Sequence, residues 1–211
     1  MNPPCRINPA EIELSKGNTM EPWIQTGLGL KFDFAEPVPD MIDIRDIAAA
    51  LARQPRFAGH TNKFYSVAQH SVFVSSLVKR AGGTHLQQSI ALLHDATEAY
   101  TGDMTAPLKS ILPEFKKVES RIWRAICAAL FDSELALTME LPAIVKHADA
   151  VALATEARDL FDFEPIENWV ERLPLADGLK ITPLDEADSW LEFTARYKTL
   201  FGSVVGAIGN G

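Results

Sequence analysis

The chain has 211 residues, 47% hydrophobic and 23% charged, with a formal net charge of −8 and a pI near 5.1. This is the composition of one ordinary globular domain, and the absence of any Lys or Arg run argues against binding to extended nucleic acid. Two isolated cysteines, Cys5 and Cys127, exclude a paired zinc motif and a disulfide framework, and the longest apolar runs, such as Ala125–Phe131, fall far short of a membrane span.

Residues 1–20 carry Pro3, Pro4 and Pro9 with several charges and no apolar signal core, so they read as a loose leader on a cytoplasmic protein. Residues 21–201 read as a single domain, and residues 202–211 (GSVVGAIGNG) as a flexible tail. In WIQTGLGLKFDF, residues 23–34, two short runs around Gly27 and Gly29 predict a small hairpin. Pro37 and Pro39 then interrupt the chain. Asp43 is placed to cap a helix through Gln54 with the apolar stripe Ile44, Ile47, Ala48 and Leu51.

From there the pattern is helical. Residues 66–80 put Val67, Val74, Leu77 and Val78 on one side, with His70 in the same sector. A helix over Leu86–Thr101 follows, closed by Gly102. Residues 114–131 place Phe115, Val118, Ile122, Trp123, Ile126 and Leu130 at helical spacing. Pro142 opens a helix to about Phe161. Thr182-Pro183 reads as a cap with proline at the first helical position, starting a last helix whose stripe is Trp190, Phe193, Tyr197, Leu200 and Phe201. The fold class is all-α, a helical bundle with a small N-terminal hairpin.

The chemistry concentrates in ALLHDATEAYTGDMTAPLK, residues 91–109. Ionisable groups directly after an apolar run are costly to bury unless they are paired or bind a metal. At about 100° per residue, Glu98 comes one helical turn after His94 on nearly the same face, and Asp95 flanks them. His70 on the preceding helix and Asp149, amid the small residues of KHADAVALATEA, are the candidate partners. Two imidazoles and two carboxylates suit a divalent transition metal: Mn, Co, Fe or Zn, with Mg as an alternative. Any one of these residues alone reads as a hydrogen-bonded or solvated side chain; their order on successive helices gives the set its weight. His147, about 200° around the helix from Asp149, should not reach the same ion.

The order His70, His94-Asp95, Asp149 resembles the HD-domain superfamily of metal-dependent phosphohydrolases. HDATEAYTGDMTAPLK is similar to bacterial HD-domain 5′-deoxynucleotidases, where Glu, Thr-Gly-Asp, Pro and Lys follow the His-Asp pair. RFAGHTNKFYSVAQHSV, residues 56–72, resembles the phage and bacterial branch of related nucleotide phosphohydrolases. The likeness spans roughly residues 23–160. It implies an HD-domain bundle with one divalent metal, which hydrolyses a phosphate or triphosphate from a (deoxy)nucleotide. A homo-oligomer, a dimer in the simplest case, is expected. The alternatives are an alarmone or cyclic-nucleotide hydrolase and a non-catalytic metal-containing nucleotide sensor.

The resemblance assigns catalysis to Glu98 as general base. Asp103 is either a second site carboxylate or a turn cap. It also implies an arginine for the phosphate. Arg56, fourteen residues before His70, is the candidate and Arg53 its rival, because the alignment needs a one-residue gap. His60 and Lys63 would add positive potential, with a local loop role open for His60. Lys109 is either a surface lysine or a phosphate contact. Phe57 is a candidate base-stacking ring, whereas Trp23 reads as core.

Overall fold

The computed structural model describes residues 21–131, 140–163 and 174–202. The predicted leader, and all of the predicted tail beyond Gly202, lie outside the described residues. Within them the chain is mostly helical, and the hairpin is the one sheet.

Strand β1 (Trp23–Gln25) pairs antiparallel with β2 (Lys31–Asp33), Trp23 opposite Asp33 and Ile24 opposite Phe32. Gly29 turns between them at φ 84°, a left-handed conformation that glycine adopts without a Cβ clash. Phe32 anchors the hairpin: it is fully buried and stacks on Tyr100 with centroids 3.8 Å apart. Phe32→Ala is expected to cost about 3–5 kcal/mol, read as a lower denaturant midpoint at unchanged slope. Trp23 departs from its expected place in the core. Successive side chains alternate across a strand, so Trp23 points away from the Phe32 face. It is 41% exposed, with the Lys31 ammonium 5.1 Å above its ring.

Helix α1 (Ile44–Arg53) starts where Asp43 accepts from the Arg45 amide, and its stripe Ile44, Ile47, Ala48 and Leu51 is buried as expected. Helix α2 (Val67–Arg80) is capped by Ser66, which accepts from the Gln69 amide, and it buries Val67, His70, Val74 and Val78. Helix α3 (His85–Leu93) opens with a capping box between Thr84 and Gln87. Short α4 (Glu98–Thr101) and α5 (Ala106–Ser110) lead into α6 (Pro113–Leu130), α7 (Ala143–Leu160) and α8 (Glu186–Phe201). Helix α2 lies at the centre, packed by α3, α7 and α8, while α1 lies against α8. No described helix is long and apolar enough to cross a membrane.

Two expectations about boundaries change. The helix predicted over Leu86–Thr101 is interrupted at His94–Thr97, where Ala96 and Glu98 donate to carbonyls three residues back instead of four. At the break the His94 Nδ1 donates to the Ala91 carbonyl at 2.8 Å, the acceptor a regular helix would give to the Asp95 amide. The last helix starts at Glu186, not at Thr182-Pro183. Gln69 holds the preceding segment by accepting from the Leu184 amide and donating to the Thr182 carbonyl. Asp185 then caps through the Asp188 amide. Phe193, Tyr197 and Leu200 of its stripe are buried, but Trp190 stays 39% exposed.

Candidate metal centre

His70 stands in the first turns of α2, with its side chain fully enclosed. Its Nδ1 lies 2.6 Å from Glu156 Oε1, which turns Nε2 inward. His94 follows the end of α3. A carbonyl only accepts, so its Nδ1 must donate to Ala91 and its Nε2 is the free position. The two Nε2 atoms lie 3.3 Å apart. Asp95 Oδ2 is 3.4 Å from His70 Nε2 and 3.3 Å from His94 Nε2. Asp149 Oδ1, brought in by α7, is 3.2 Å and 3.8 Å from the same two nitrogens. All four predicted ligands meet, and Asp149, with 43% of its side chain exposed, is the member facing solvent.

Ligand atoms of His70, His94 and Asp95 lie within 4.8 Å of one another, so this cluster could hold a metal ion. The donor set fits a divalent ion with mixed nitrogen and oxygen preference. Inward lone pairs and two carboxylates at this range repel unless a cation or proton separates them. In the metal-free protein, protons fill that role. Burial and the Arg56 guanidinium oppose charge on His70, yet Glu156 and Asp149 carry its pKa up to about 10. Burial likewise opposes charge on His94, and Asp95 and Asp149 raise it nonetheless. Against its burial, hydrogen bonds from His70 and His94 hold Asp149 far below the usual carboxylate range. A metal must therefore displace protons to enter.

Arg56 lies beside the cluster. Its Nη1 is 3.4 Å from Asp95 Oδ2 and its Nη2 is 3.2 Å from Glu156 Oε2, with 12% of the side chain exposed. The loop that carries it is unusual. Phe57, Ala58 and Gly59 follow in left-handed conformations at φ 54°, 51° and 78°. Each non-glycine residue held there costs on the order of 1–3 kcal/mol. The Pro55–Ser66 bridge, the bond from the Arg56 amide to the Tyr65 carbonyl and the bond from the Asn62 amide to the Leu160 carbonyl hold the loop shut. Phe57 is partly buried, edge-on to Phe161 and under the Arg56 guanidinium at 5.4 Å. His60 is exposed. Arg53 turns away to Glu186 at 2.7 Å, and Lys63 shares a surface groove with Arg53, Phe64 and Asp185. Of the cations in the loop, Arg56 alone makes contact with the cluster among the described residues.

The broken helix also moves Glu98. Where bonds run three residues back, each residue turns by about 120° and not 100°, so the regular one-turn stacking of Glu98 over His94 does not apply. It remains beside the site and is 3% exposed. Burial, with Asp95 and Asp103 adding to it, pushes its pKa up to about 9, while Lys109 and Arg56 pull it down. Its Oε1 pairs with the Lys109 ammonium at 3.2 Å. Lys109 also reaches Glu119 at 2.8 Å, so it bridges two carboxylates. Asp103 does not cap α5, whose first residue follows Thr105. Burial raises its pKa, which Arg56 offsets, and this places it in the field of the site. His147 is exposed, as its angular position predicts.

Three residues escaped the sequence. Glu156 accepts from Tyr65, His70 and Arg56, and Glu119 pairs with Lys109. A signal for Glu156 existed: it follows Asp149 by seven residues, two helical turns, which places both on one side of α7. Tyr65 and Glu119 carried none.

Two bacterial proteins are similar to this chain over most of their length. The uncharacterized protein YfdR of Escherichia coli strain K12 is 37% identical over 182 residues, 84% of this chain and 95% of YfdR. The uncharacterized protein RCAP_rcc00048 of Rhodobacter capsulatus is 32% identical over 195 residues, 87% of this chain and 98% of that protein. The chain matches no protein-family model.

Proposed function

The chain belongs to the family of YfdR, and we propose that it is a phosphohydrolase of the HD-domain type, dependent on a divalent metal and acting on (deoxy)nucleotide phosphates. One observation carries this reading. A nearly enclosed arginine, Arg56, stands 3.4 Å from the same Asp95 oxygen that faces both imidazole Nε2 atoms. A cation pocket and an anion-binding guanidinium thus share one carboxylate, which suits a phosphate ester held across them.

His70, His94, Asp95 and Asp149 would hold the ion. When bound, a divalent ion supplies Lewis acidity, polarising a phosphoryl oxygen and making water more acidic. Arg56 binds the phosphate oxygens with its planar fork of N–H donors. Glu98 takes the proton from the attacking water. Lys109, anchored on Glu119, favours the ionised form of Glu98 that this step needs. Arg56→Ala, assayed at saturating metal, is expected to raise KM or lower kcat/KM on nucleotides. Unchanged kinetics would return the role to Arg53 or Lys63.

The non-catalytic sensor has one observation on its side. Burial pushes Glu98 up to about 9, and a protonated carboxyl accepts no proton. The proposed enzyme answers this with the charge of the bound ion, which favours the carboxylate. A nucleotide panel with Mn, Co, Mg and Zn, its products resolved by chromatography, separates the two. Hydrolysis yields a (deoxy)nucleoside with phosphate or triphosphate. A sensor binds nucleotide with no product, and turnover confined to alarmones or cyclic nucleotides would move the substrate class.

A further inference from the structure

We infer that Glu156 is the positioning residue for His70, fixing which ring nitrogen carries the proton and where the other one points. The inference rests on the metal reading of the same cluster. Glu156 lies on α7 and is fully buried, where an uncompensated carboxylate would be strongly disfavoured. Three donors from two other segments converge on it. Tyr65 Oη reaches Oε1 at 2.9 Å, His70 Nδ1 reaches Oε1 at 2.6 Å, and Arg56 Nη2 reaches Oε2 at 3.2 Å.

The division between the two oxygens is what points to positioning. Tyr65 donates to Oε1 and Arg56 to Oε2, so the carboxylate cannot swing without breaking one of them. His70 then meets a fixed acceptor. A neutral ring, the form that can ligate a metal, presents its Nε2 lone pair when it donates from Nδ1, and Nε2 is the atom facing His94, Asp95 and Asp149. His94 reaches the same tautomer through a backbone carbonyl, which no side-chain substitution can remove. Among the described residues, His70 has Glu156 alone for this. Partners of this kind on ligating histidines typically change metal affinity by roughly 10–100-fold when they are replaced. A carboxylate that only tied α7 to α2 would alter stability and leave metal affinity unchanged.

The test uses the full-length protein stripped of metal and titrated with Mn(II). Glu156→Gln keeps the shape but replaces one oxygen by an NH2 group, so it cannot accept from both sides. Glu156→Asp keeps the charge and withdraws the carboxylate by one methylene. Both variants are expected to bind Mn(II) roughly 10–100-fold more weakly than wild type at unchanged stoichiometry. Wild-type affinity in both overturns the inference. If neither variant folds, the nitrogen-15 spectrum of zinc-loaded wild type decides. A proton on His70 Nδ1 supports the assignment, and a proton on Nε2 overturns it. Wild type that binds no metal at all defeats the metal reading itself, a separate outcome.

Discussion

Replacing Glu98 with Gln is expected to lower kcat by about 10²–10⁴-fold, the usual loss when a general base is removed, with metal content and nucleotide affinity near wild type. The substitution keeps the side chain's shape, and Lys109 retains Glu119 as a partner. The stability effect should have the opposite sign. The folded-state pKa of Glu98 is raised from 4.5 to about 9, first by burial and then by Asp95 and Asp103. A group raised in this way contributes fully below the unfolded pKa, and its contribution is lost as pH rises toward the folded one. In metal-free protein, Glu98→Gln should therefore melt with wild type near pH 4 and increasingly above it toward pH 8. Bound metal should narrow that gap by favouring the carboxylate. Normal turnover in the variant would make Glu98 an ordinary buried residue, and Asp103 would be the next base to test.

His94→Ala and Asp95→Ala should each abolish stoichiometric metal binding, read by elemental analysis after removal of free ions. His94→Ala deletes the nitrogen that faces His70 Nε2 at 3.3 Å, and Asp95→Ala the oxygen that faces His94 Nε2 at 3.3 Å. Asp95→Ala also removes the Nη1 partner of Arg56, so this variant should lose turnover even at saturating metal. Undiminished metal in both variants would show that the cluster is not the site.

Much of this arrangement was legible in the sequence because apolar periodicity and caps agree along most of the chain. The Asp43 cap and the stripe of α1 are read directly from spacing, as are the hairpin glycines and the course of α6 and α7. The four-residue constellation was legible for a different reason: ionisable side chains amid apolar neighbours need partners, and only other such groups could supply them. What periodicity could not show is the break after Leu93. ALLHDATEAYT contains no glycine or proline to mark it, and the bond that accompanies it, from His94 to the Ala91 carbonyl, is made by a side chain. Thr182-Pro183 imitated a helix start, and the side chain of Gln69, distant in sequence, decided otherwise. Lys109 looked like a surface lysine because its two carboxylates come from α4 and α6, which meet only in the folded chain.

The central claim is tested most directly by adding Mn(II) stepwise to metal-stripped protein and measuring bound metal and the release of phosphate or triphosphate from a deoxynucleotide panel on the same samples. The account predicts no release from the stripped protein, then a parallel rise of both signals that breaks at one ion per chain. Release that proceeds without metal, or a fully loaded protein that releases no phosphate or triphosphate from any nucleotide, would contradict it.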